Sequence, residues 1–397
     1  MDFSKRFQNL SNSVTLEITK IANEMKANGE NVISFAAGEP DFNTPKNIQK
    51  AAYKAIEDGK IRYTAVSGLS DLKKAIIEKL KKDNGLSYEE NQILVSTGAK
   101  QCLANVFMGI INEGDEVIIP SPYWVSYPEF VKISGGKPIF IYGNEENDFK
   151  ITAKDLEKAC NERTKAVIIN SPNNPTGAVY SKEELIEIVN VAKDKNIFII
   201  SDEIYEKIIF DSEKHVSIAR LSKDAYERTI VINGFSKSYA MTGWRIGYLA
   251  GNKKLIEIIN KIQSHMTSNA NTISQYAAIE ALKGNQDMVH DMKKEFENRK
   301  KYFTTRLKKL KDIEFINPKG TFYLMVKIDK FFNKYKNEKQ IKSSLDFSKL
   351  ILEYEKLAVI PGEAFGAKNY IRISFATSLD NIKEGLNRLE KFLESLT

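Results

Sequence analysis

The chain carries the stretch Gly234-Phe235-Ser236-Lys237-Ser238-Tyr239-Ala240-Met241-Thr242-Gly243-Trp244-Arg245-Ile246-Gly247-Tyr248. An apolar segment at 229–233, typical of a buried strand, precedes this stretch, and a second strand-like segment follows Arg245. Lys237 therefore stands just beyond a predicted strand end, among small and hydroxyl side chains. A single lysine indicates little in a chain with 59 Lys and Arg residues, so its meaning depends on the segments around it.

The middle of the chain alternates helical and strand-like patterns. Apolar residues recur at helical spacing over 99–111, and Ser181-Lys182-Glu183-Glu184 matches a capping box that begins a helix. The predicted strands lie at 117–120, 165–170, 197–200 and 230–233. Such alternation predicts right-handed crossovers and a mainly parallel sheet, which is an α/β fold.

The pattern changes near Asn285 to a long charged helix, then the segment 320–327, a charged helical region and the segment 370–374, which together indicate an α+β domain. A chain of 397 residues also favours two domains. We therefore predict a large domain over 46–284, and a smaller α+β domain formed by 1–45 together with 285–397.

The composition narrows the classes of function. With 42% hydrophobic and 28% charged residues, the chain is typical of a globular protein. The net charge of +7 is spread among mixed charges, so we expect no nucleic-acid partner. Two cysteines and three histidines lack metal-site spacing, so no metal is predicted. Because neither an apolar leader at the N-terminus nor a membrane-length apolar stretch is found, we expect a cytoplasmic protein without a membrane partner.

Three polar segments, at 170–177, 201–206 and 234–237, each follow a predicted strand. Ligands of parallel sheets bind beyond the carboxyl ends of the strands, so these segments are expected to share one site. Two further candidates are the start of the helix at Gly98-Ala99-Lys100, which could bind a phosphate, and Trp124, which could stack on a ring. Simpler interpretations exist: Asn174 in a turn, Asp202 as a helix cap, Trp124 in the core, and Gly98 as an ordinary helix start. Together these residues offer an amine, a carboxylate and hydrogen-bond donors for a phosphate group, which is what pyridoxal 5′-phosphate (PLP) requires.

In this order, Asn174-Pro175-Thr176-Gly177, Ser201-Asp202-Glu203-Ile204-Tyr205 and Ser236-Lys237 resemble the class I and II aminotransferases, which are PLP enzymes of fold type I. The similarity runs from Ala37-Gly38-Glu39-Pro40-Asp41-Phe42 to Arg372-Ile373-Ser374-Phe375-Ala376. The resemblance implies a mainly parallel seven-stranded sheet in a large domain with a smaller α+β domain.

The resemblance also implies roles for individual residues. Lys237 would be catalytic, carrying the cofactor as an imine and moving the substrate's α-proton, while Asp202 would pair with the ring nitrogen. The implied cofactor contacts are Ala99, Lys100, Trp124, Asn174, Asp202, Tyr205, Ser236, Lys237, Arg245 and, from the second subunit of a homodimer with shared active sites, Tyr63. The implied substrate contacts are Gly38, Trp124, Asn174, Arg372, Lys100 and Thr15.

Two departures from the family pattern matter. A serine expected three residues before the lysine is Gly234, which removes one hydroxyl from the phosphate site. The segment 264–269 lacks the arginine with which some aspartate aminotransferases bind the distal carboxylate of the substrate. A bacterial-type subgroup shares this lack and uses a lysine and a threonine, at positions matched by Lys100 and Thr15. Lys100 has the alternative interpretation of a solvent-facing helix lysine.

The function implied by the resemblance is transfer of the amino group of L-aspartate to 2-oxoglutarate in two half-reactions. The partners are then amino acids and 2-oxo acids. Alternatives are prephenate, aromatic or alanine aminotransferases, and more remotely a PLP-dependent C–S lyase. A PLP-binding regulator, which would need an appended DNA-binding domain, is not expected, because the family-like segment already begins at Gly38.

Overall fold

The protein is described by a computed structural model that covers Phe7, Leu10 and residues 14–397. The N-terminal residues used above to argue against a leader, and part of the predicted 1–45 segment, lie outside these described residues. The helices are α1 (Val14–Ala27), α2 (Lys46–Glu57), α3 (Ser70–Lys79), α4 (Ala99–Ile110), α5 (Ser126–Ile133), α6 (Ala153–Ala159), α7 (Lys182–Asp194), α8 (Lys223–Arg228), α9 (Lys253–Met266), α10 (Thr272–Lys283), α11 (Asp287–Leu307), α12 (Ser344–Glu355) and α13 (Leu379–Glu394). None of them is long and apolar enough to cross a membrane, within the part of the chain described.

The strands of the described chain form one large sheet and three smaller ones. They are β1 (Ile33–Ser34), β2 (Ile93–Ser96), β3 (Glu116–Ser121), β4 (Lys137–Tyr142), β5 (Thr164–Asn170), β6 (Phe198–Asp202), β7 (Thr229–Gly234), β8 (Gly247–Ala250), β9 (Glu314–Phe315), β10 (Tyr323–Lys327), β11 (Tyr335–Lys336), β12 (Lys339–Gln340), β13 (Leu357–Ala358), β14 (Ile360–Pro361) and β15 (Tyr370–Ser374).

The large sheet has seven strands in the order β2-β8-β7-β6-β5-β3-β4. The pairs from β4 to β7 are parallel, whereas β8 runs antiparallel to both of its neighbours. The predicted mainly parallel seven-stranded sheet is therefore confirmed. The capping box is confirmed as well, since the Ser181 side chain accepts a hydrogen bond from the Glu184 amide at the start of α7.

Apart from the edge strand β4, whose residues are partly or fully exposed, the strands of the large sheet are mostly buried on both faces, which explains their continuous apolar sequences. Alternate side chains of one strand enter different cores: Ile119 packs with residues of α4 and α9, and Ile118 packs with residues of α7. Covering both faces leaves the carboxyl ends of the strands as the open edge at which a ligand can bind.

A second, four-stranded antiparallel sheet has the order β14-β15-β10-β9. It packs with α11, α12 and α13 around a core that includes Phe303, Phe347 and Phe392. Helix α11 confirms the charged helix predicted after Asn285, and α12 confirms the helical region that follows. Strands β10 and β15 lie within the segments 320–327 and 370–374. The division of the chain at 45/46 and 284/285 stays a prediction.

Candidate active site

The carboxyl ends of β5, β6 and β7 open into a cleft with a volume of about 900 Å³. Tyr323 of β10 and Arg372 of β15 contribute to its lining, so residues of both sheets meet there. Of the predicted site residues, the cleft is lined by Thr15, Gly38, Ala99, Lys100, Trp124, Asn174, Asp202, Tyr205, Ser236, Lys237, Arg245 and Arg372.

Lys237 follows the end of β7, and its Nζ donates a hydrogen bond of 2.5 Å to the carbonyl of Gly38. Burial lowers the pKa of Lys237 to about 8; the charge of Glu39 opposes this shift, and that of Arg372 adds to it. A lysine with this pKa is uncharged in a useful fraction of molecules near neutral pH, which makes its amine a nucleophile and a base.

Asp202, the last residue of β6, is 4% exposed. Its Oδ1 accepts a 3.2 Å bond from the Ile204 amide, and its Oδ2 accepts a 2.7 Å bond from the Tyr127 hydroxyl. Burial raises the pKa of Asp202 to about 6, although the Tyr127 hydrogen bond acts in the opposite direction. The alternative role of Asp202 as a helix cap would account only for Oδ1, which accepts a hydrogen bond from the Ile204 amide. Its Oδ2 is hydrogen-bonded to Tyr127 in the wall of the cleft.

The start of α4 lies beside the guanidinium of Arg245. Gly98 precedes the helix at φ +83°, and a Cβ built there would lie 2.7 Å from Arg245 Nη2. Only glycine allows this approach of the guanidinium to the backbone. The free amides at the helix start, the Arg245 guanidinium and the Ser236 hydroxyl form a donor set that suits a phosphate group.

Arg372 points into the cleft from the second sheet and is 4% exposed. Its Nη1 donates to Asn174 Oδ1 at 3.2 Å and its Nη2 donates to the Ala36 carbonyl at 3.3 Å. The guanidinium lies 4.3 Å from the centroid of the Tyr323 ring, while its buried Nε has no hydrogen-bond partner within the described chain. A fixed, incompletely paired guanidinium suits a carboxylate ligand.

Two further cleft walls are aromatic. Lys100 Nζ lies 5.1 Å from the centroid of the Trp124 ring. Burial lowers the pKa of Lys100, and the charge of Arg245 acts in the same direction. Tyr205 and Tyr323 also line the cleft, and their hydroxyls are 3.2 Å apart. Lys100 thus lies against an aromatic ring of the cleft, although its side chain also reaches solvent.

Tyr63 is the one predicted contact that this chain does not bring to the cleft. It is 91% exposed and lines a different depression with Arg62 and Thr64. The sequence assigned it to the neighbouring subunit of a dimer, so its position in one chain neither supports nor contradicts that assignment.

The glycine at 234 has a steric cause. A Cβ at this position would lie 3.1 Å from the Cα of Gly247, the first residue of the antiparallel neighbour β8, and 3.2 Å from the carbonyl oxygen of Ile246 just before it. A serine at position 234 would therefore need a shift of the β8 backbone. The hydrogen bonds to a phosphate must come from other residues.

Sequence reasoning missed three polar residues of the site. Tyr127 bonds Asp202, Tyr323 bonds Tyr205, and Asn170 donates to the main-chain carbonyl of Asp202 at 3.0 Å. Asn170 had a signal, since it ends a predicted strand. Tyr127 and Tyr323 had none, because each meets its partner only after distant segments pack together.

Behind the site, a buried group of charges supports the turn that carries Asp202 and Tyr205. Glu203 accepts hydrogen bonds from two serine hydroxyls and lies 2.9 Å from His215 Nε2. Glu206 pairs with the ammonium of Lys79. Glu203, Glu206 and His215 are close enough together to ligate a metal ion, but these partners already occupy the carboxylates. The group therefore acts as a brace for the turn.

Comparison with known proteins identifies the family. The family described as aminotransferase class I and II matches residues 30–389. The chain belongs to this family. The aspartate aminotransferase of Bacillus sp. (strain YM-2) is 49% identical over 391 residues, which are 98% of this chain and 99% of the relative. That of Bacillus subtilis is 45% identical, with 99% of each chain covered.

Solved structures of other aminotransferases in the family have the same fold. An aspartate aminotransferase from Rhizobium meliloti is similar with a TM-score of 0.96 and 40% identity, and all of both chains is covered. One from Thermus thermophilus, solved with maleate, gives a TM-score of 0.93 and 35% identity over 98% of this chain and 99% of that one. The fold type I expectation is confirmed, and the protein is an aminotransferase of the bacterial aspartate type.

Proposed function

We propose that the protein transfers the amino group of L-aspartate to 2-oxoglutarate with PLP as its cofactor. The observation that supports this most is one cleft that contains a lysine amine of lowered pKa, a buried carboxylate and a buried arginine. The relatives named aspartate aminotransferases, which are 45–49% identical to the chain, support aspartate as the substrate.

The donor set of the cleft fits PLP. The Asp202 carboxylate is buried and forms no ion pair with a cation of the described residues, so it is suited to a protonated ring nitrogen. Asn174 and Tyr205 would hold the 3′-oxygen, and Trp124 would cover a ring face. The start of α4, Ser236 and Arg245 would hold the phosphate. When bound, PLP supplies an electron sink that acidifies the α-hydrogen of an attached amino acid.

The residues of the chain would have separate roles in the reaction. Arg372 binds the α-carboxylate with two parallel hydrogen bonds and thereby fixes the α-carbon. Lys237 would remove the α-proton and later return it, because its pKa of about 8 allows both directions of transfer near neutral pH. Asp202 would stay ionised and would pair with the charged ring nitrogen. Because the amino group would remain on the enzyme between the two substrates, ping-pong kinetics are expected.

Lys100 and Thr15 are proposed to recognise the distal carboxylate. In a Lys100→Met variant we expect kcat/KM for aspartate to fall by about 30-fold or more, because a charge-assisted hydrogen bond of ~2 kcal/mol is lost. The value for alanine, which has no distal carboxylate, should change by less than about threefold, since that bond is never formed. Steady-state kinetics with both donors and a Lys100→Arg control, which keeps the charge, test this.

If both donors lost activity equally in the Lys100→Met enzyme, the lysine would hold cofactor rather than the substrate's distal group. Prephenate is the second candidate substrate, because relatives named probable aspartate/prephenate aminotransferase are also similar, at 46% identity for that of Rickettsia felis. The same measurements with prephenate as the keto acid decide between them.

A homodimer with shared sites is also proposed. Tyr53, Ile56, Ile61 and Tyr63 expose large apolar side chains along one short segment, as expected of a surface covered by a second copy. We expect Tyr63→Ala to weaken PLP retention by about tenfold, because a hydrogen bond to phosphate is lost. Retention after gel filtration measures this, with the exposed Tyr335→Ala as the control.

Subunit mixing shows whether Tyr63 acts across the dimer. A Lys237→Ala subunit paired with a Tyr63→Ala subunit restores one intact site per hybrid, so tight PLP binding should return. A doubly substituted subunit paired with the wild type leaves no intact site. If the two mixtures retained PLP alike, or if the second retained more than the first, Tyr63 would not reach its partner's site.

The cytoplasmic location stays a prediction, which cell fractionation tests.

A further inference from the structure

Tyr127 occupies the first turn of α5 and is 2% exposed. Its hydroxyl donates a 2.7 Å hydrogen bond to Asp202 Oδ2, across 75 residues of sequence. The other carboxylate oxygen is taken by the Ile204 amide. Among the described residues, Tyr127 is the side chain that hydrogen-bonds this carboxylate. Both oxygens are thus fixed before any ligand binds.

We propose that Tyr127 is a positioning residue, which orients the Asp202 carboxylate and holds it in its ionised, accepting form against the ring nitrogen of the cofactor. This rests on the PLP-dependent function proposed above. The hydroxyl would not touch substrate or cofactor and would act only through Asp202.

The surroundings of Asp202 leave this task to Tyr127. Lys237 is the cation that influences Asp202, but its ammonium donates its hydrogen bond to the Gly38 carbonyl and not to the Asp202 carboxylate. Glu203 on the next residue adds a negative charge, which favours the protonated carboxyl. The titratable groups that influence Asp202, or that its charge influences, are Cys102 on α4, Tyr127 on α5, Glu203 and Tyr205 on the following turn, and Lys237 after β7.

The direction of the electrostatic effect can be stated. Burial raises the pKa of Asp202 to about 6, and the Tyr127 hydrogen bond limits that rise. Removing the Tyr127 hydroxyl therefore raises the pKa of Asp202 further. As the solution is acidified, Asp202 then becomes protonated at a higher pH than in the wild type. Burial and the charge of Asp202 hold the pKa of Tyr127 well above its ordinary value, so the phenol remains a donor throughout.

The same helical turn also fixes a cofactor face. The Tyr127 amide donates to the Trp124 carbonyl at 3.0 Å, and the two rings meet edge to face at 5.3 Å. A movement of Tyr127 would therefore shift both the proposed ring-stacking residue and the partner of the ring nitrogen.

The test uses pyridoxine 5′-phosphate, which has the ring nitrogen and the phosphate of PLP but no aldehyde to react with Lys237. Its dissociation constant is measured by fluorescence between about pH 5.5 and 8.5, for the full-length wild type and the Tyr127→Phe variant freed of cofactor. A hydrogen bond to a charged group corresponds to about one pKa unit or more, so the variant should bind nearly tenfold more weakly at pH 5.5 and about equally at pH 8.5.

Three controls keep the result specific. Tyr88→Phe removes a buried hydroxyl that has no partner in the described chain, and it should leave the pH profile unchanged. In an Asp202→Asn background, Tyr127→Phe should have no further pH-dependent effect. Replacing Tyr127 by 3,5-difluorotyrosine, a stronger donor, should move the acid limb to lower pH; this variant also serves if Tyr127→Phe fails to fold, as judged by thermal unfolding.

Equal weakening by Tyr127→Phe at every pH, or an unchanged profile, would overturn the positioning role while leaving the proposed function intact. If the wild type did not bind pyridoxine 5′-phosphate at any pH, this result would contradict the proposed PLP-dependent function and also the positioning role of Tyr127.

Discussion

Replacing Lys237 by alanine is expected to lower kcat for amino transfer by on the order of 10⁴-fold. The substitution removes the amine that reacts with the cofactor and also the base that moves the α-proton, so two steps fail together. The phosphate donors and Asp202 are untouched, so the variant should still bind pyridoxine 5′-phosphate. Single-turnover kinetics with aspartate, followed by the cofactor's absorbance, measure the loss.

Lys237→Arg is the matched variant, because it keeps a positive charge at the same place but cannot act as a nucleophile or a base near neutral pH. We expect it to be as inactive as the alanine variant. If the arginine variant retained substantial turnover, the role of Lys237 would be electrostatic, and the proposed chemistry would need another amine.

Replacing Arg372 by alanine is expected to lower kcat/KM for aspartate by about 10²–10³-fold, because the substrate's carboxylate would enter a buried position without its partner. Retention of PLP should change by less than about threefold, since Arg372 lies among Asn174, Ala36 and Tyr323 rather than at the phosphate donors. Steady-state kinetics and cofactor retention are measured on the same preparation.

Arg372→Lys serves as the control for charge. A lysine keeps the charge but cannot form two parallel hydrogen bonds, so its kcat/KM should fall between those of the wild type and the alanine variant. Parallel losses of substrate binding and cofactor retention in Arg372→Ala would contradict the assigned role and indicate a structural one.

Much of the fold could be predicted because its signals are local. The period of apolar residues located α4, and the Ser181 capping box located the start of α7. The direction of β8 could not be predicted, since the connection after Lys237 is compatible with either orientation of a short apolar segment. Strand direction depends on pairing between segments, which periodicity does not encode.

The site shows the same limit. Lys237, Asp202 and Asn174 could be selected because each follows a strand end, and such ends meet at one edge of a parallel sheet. Tyr127 could not be selected, since nothing in its own segment indicates that its hydroxyl reaches β6. Gly234 was noted as a departure, but its cause lies in the close approach of β8, which only the three-dimensional structure reveals.

The central claim is that the amine of Lys237 reacts with the cofactor. The most direct measurement is borohydride reduction of the protein after incubation with PLP, followed by proteolysis and mass spectrometry. The claim predicts a phosphopyridoxyl group on Lys237, none at that position in Lys237→Arg, and loss of activity in proportion to labelling. An unlabelled Lys237, with the group absent or carried by another lysine of the chain, would contradict it.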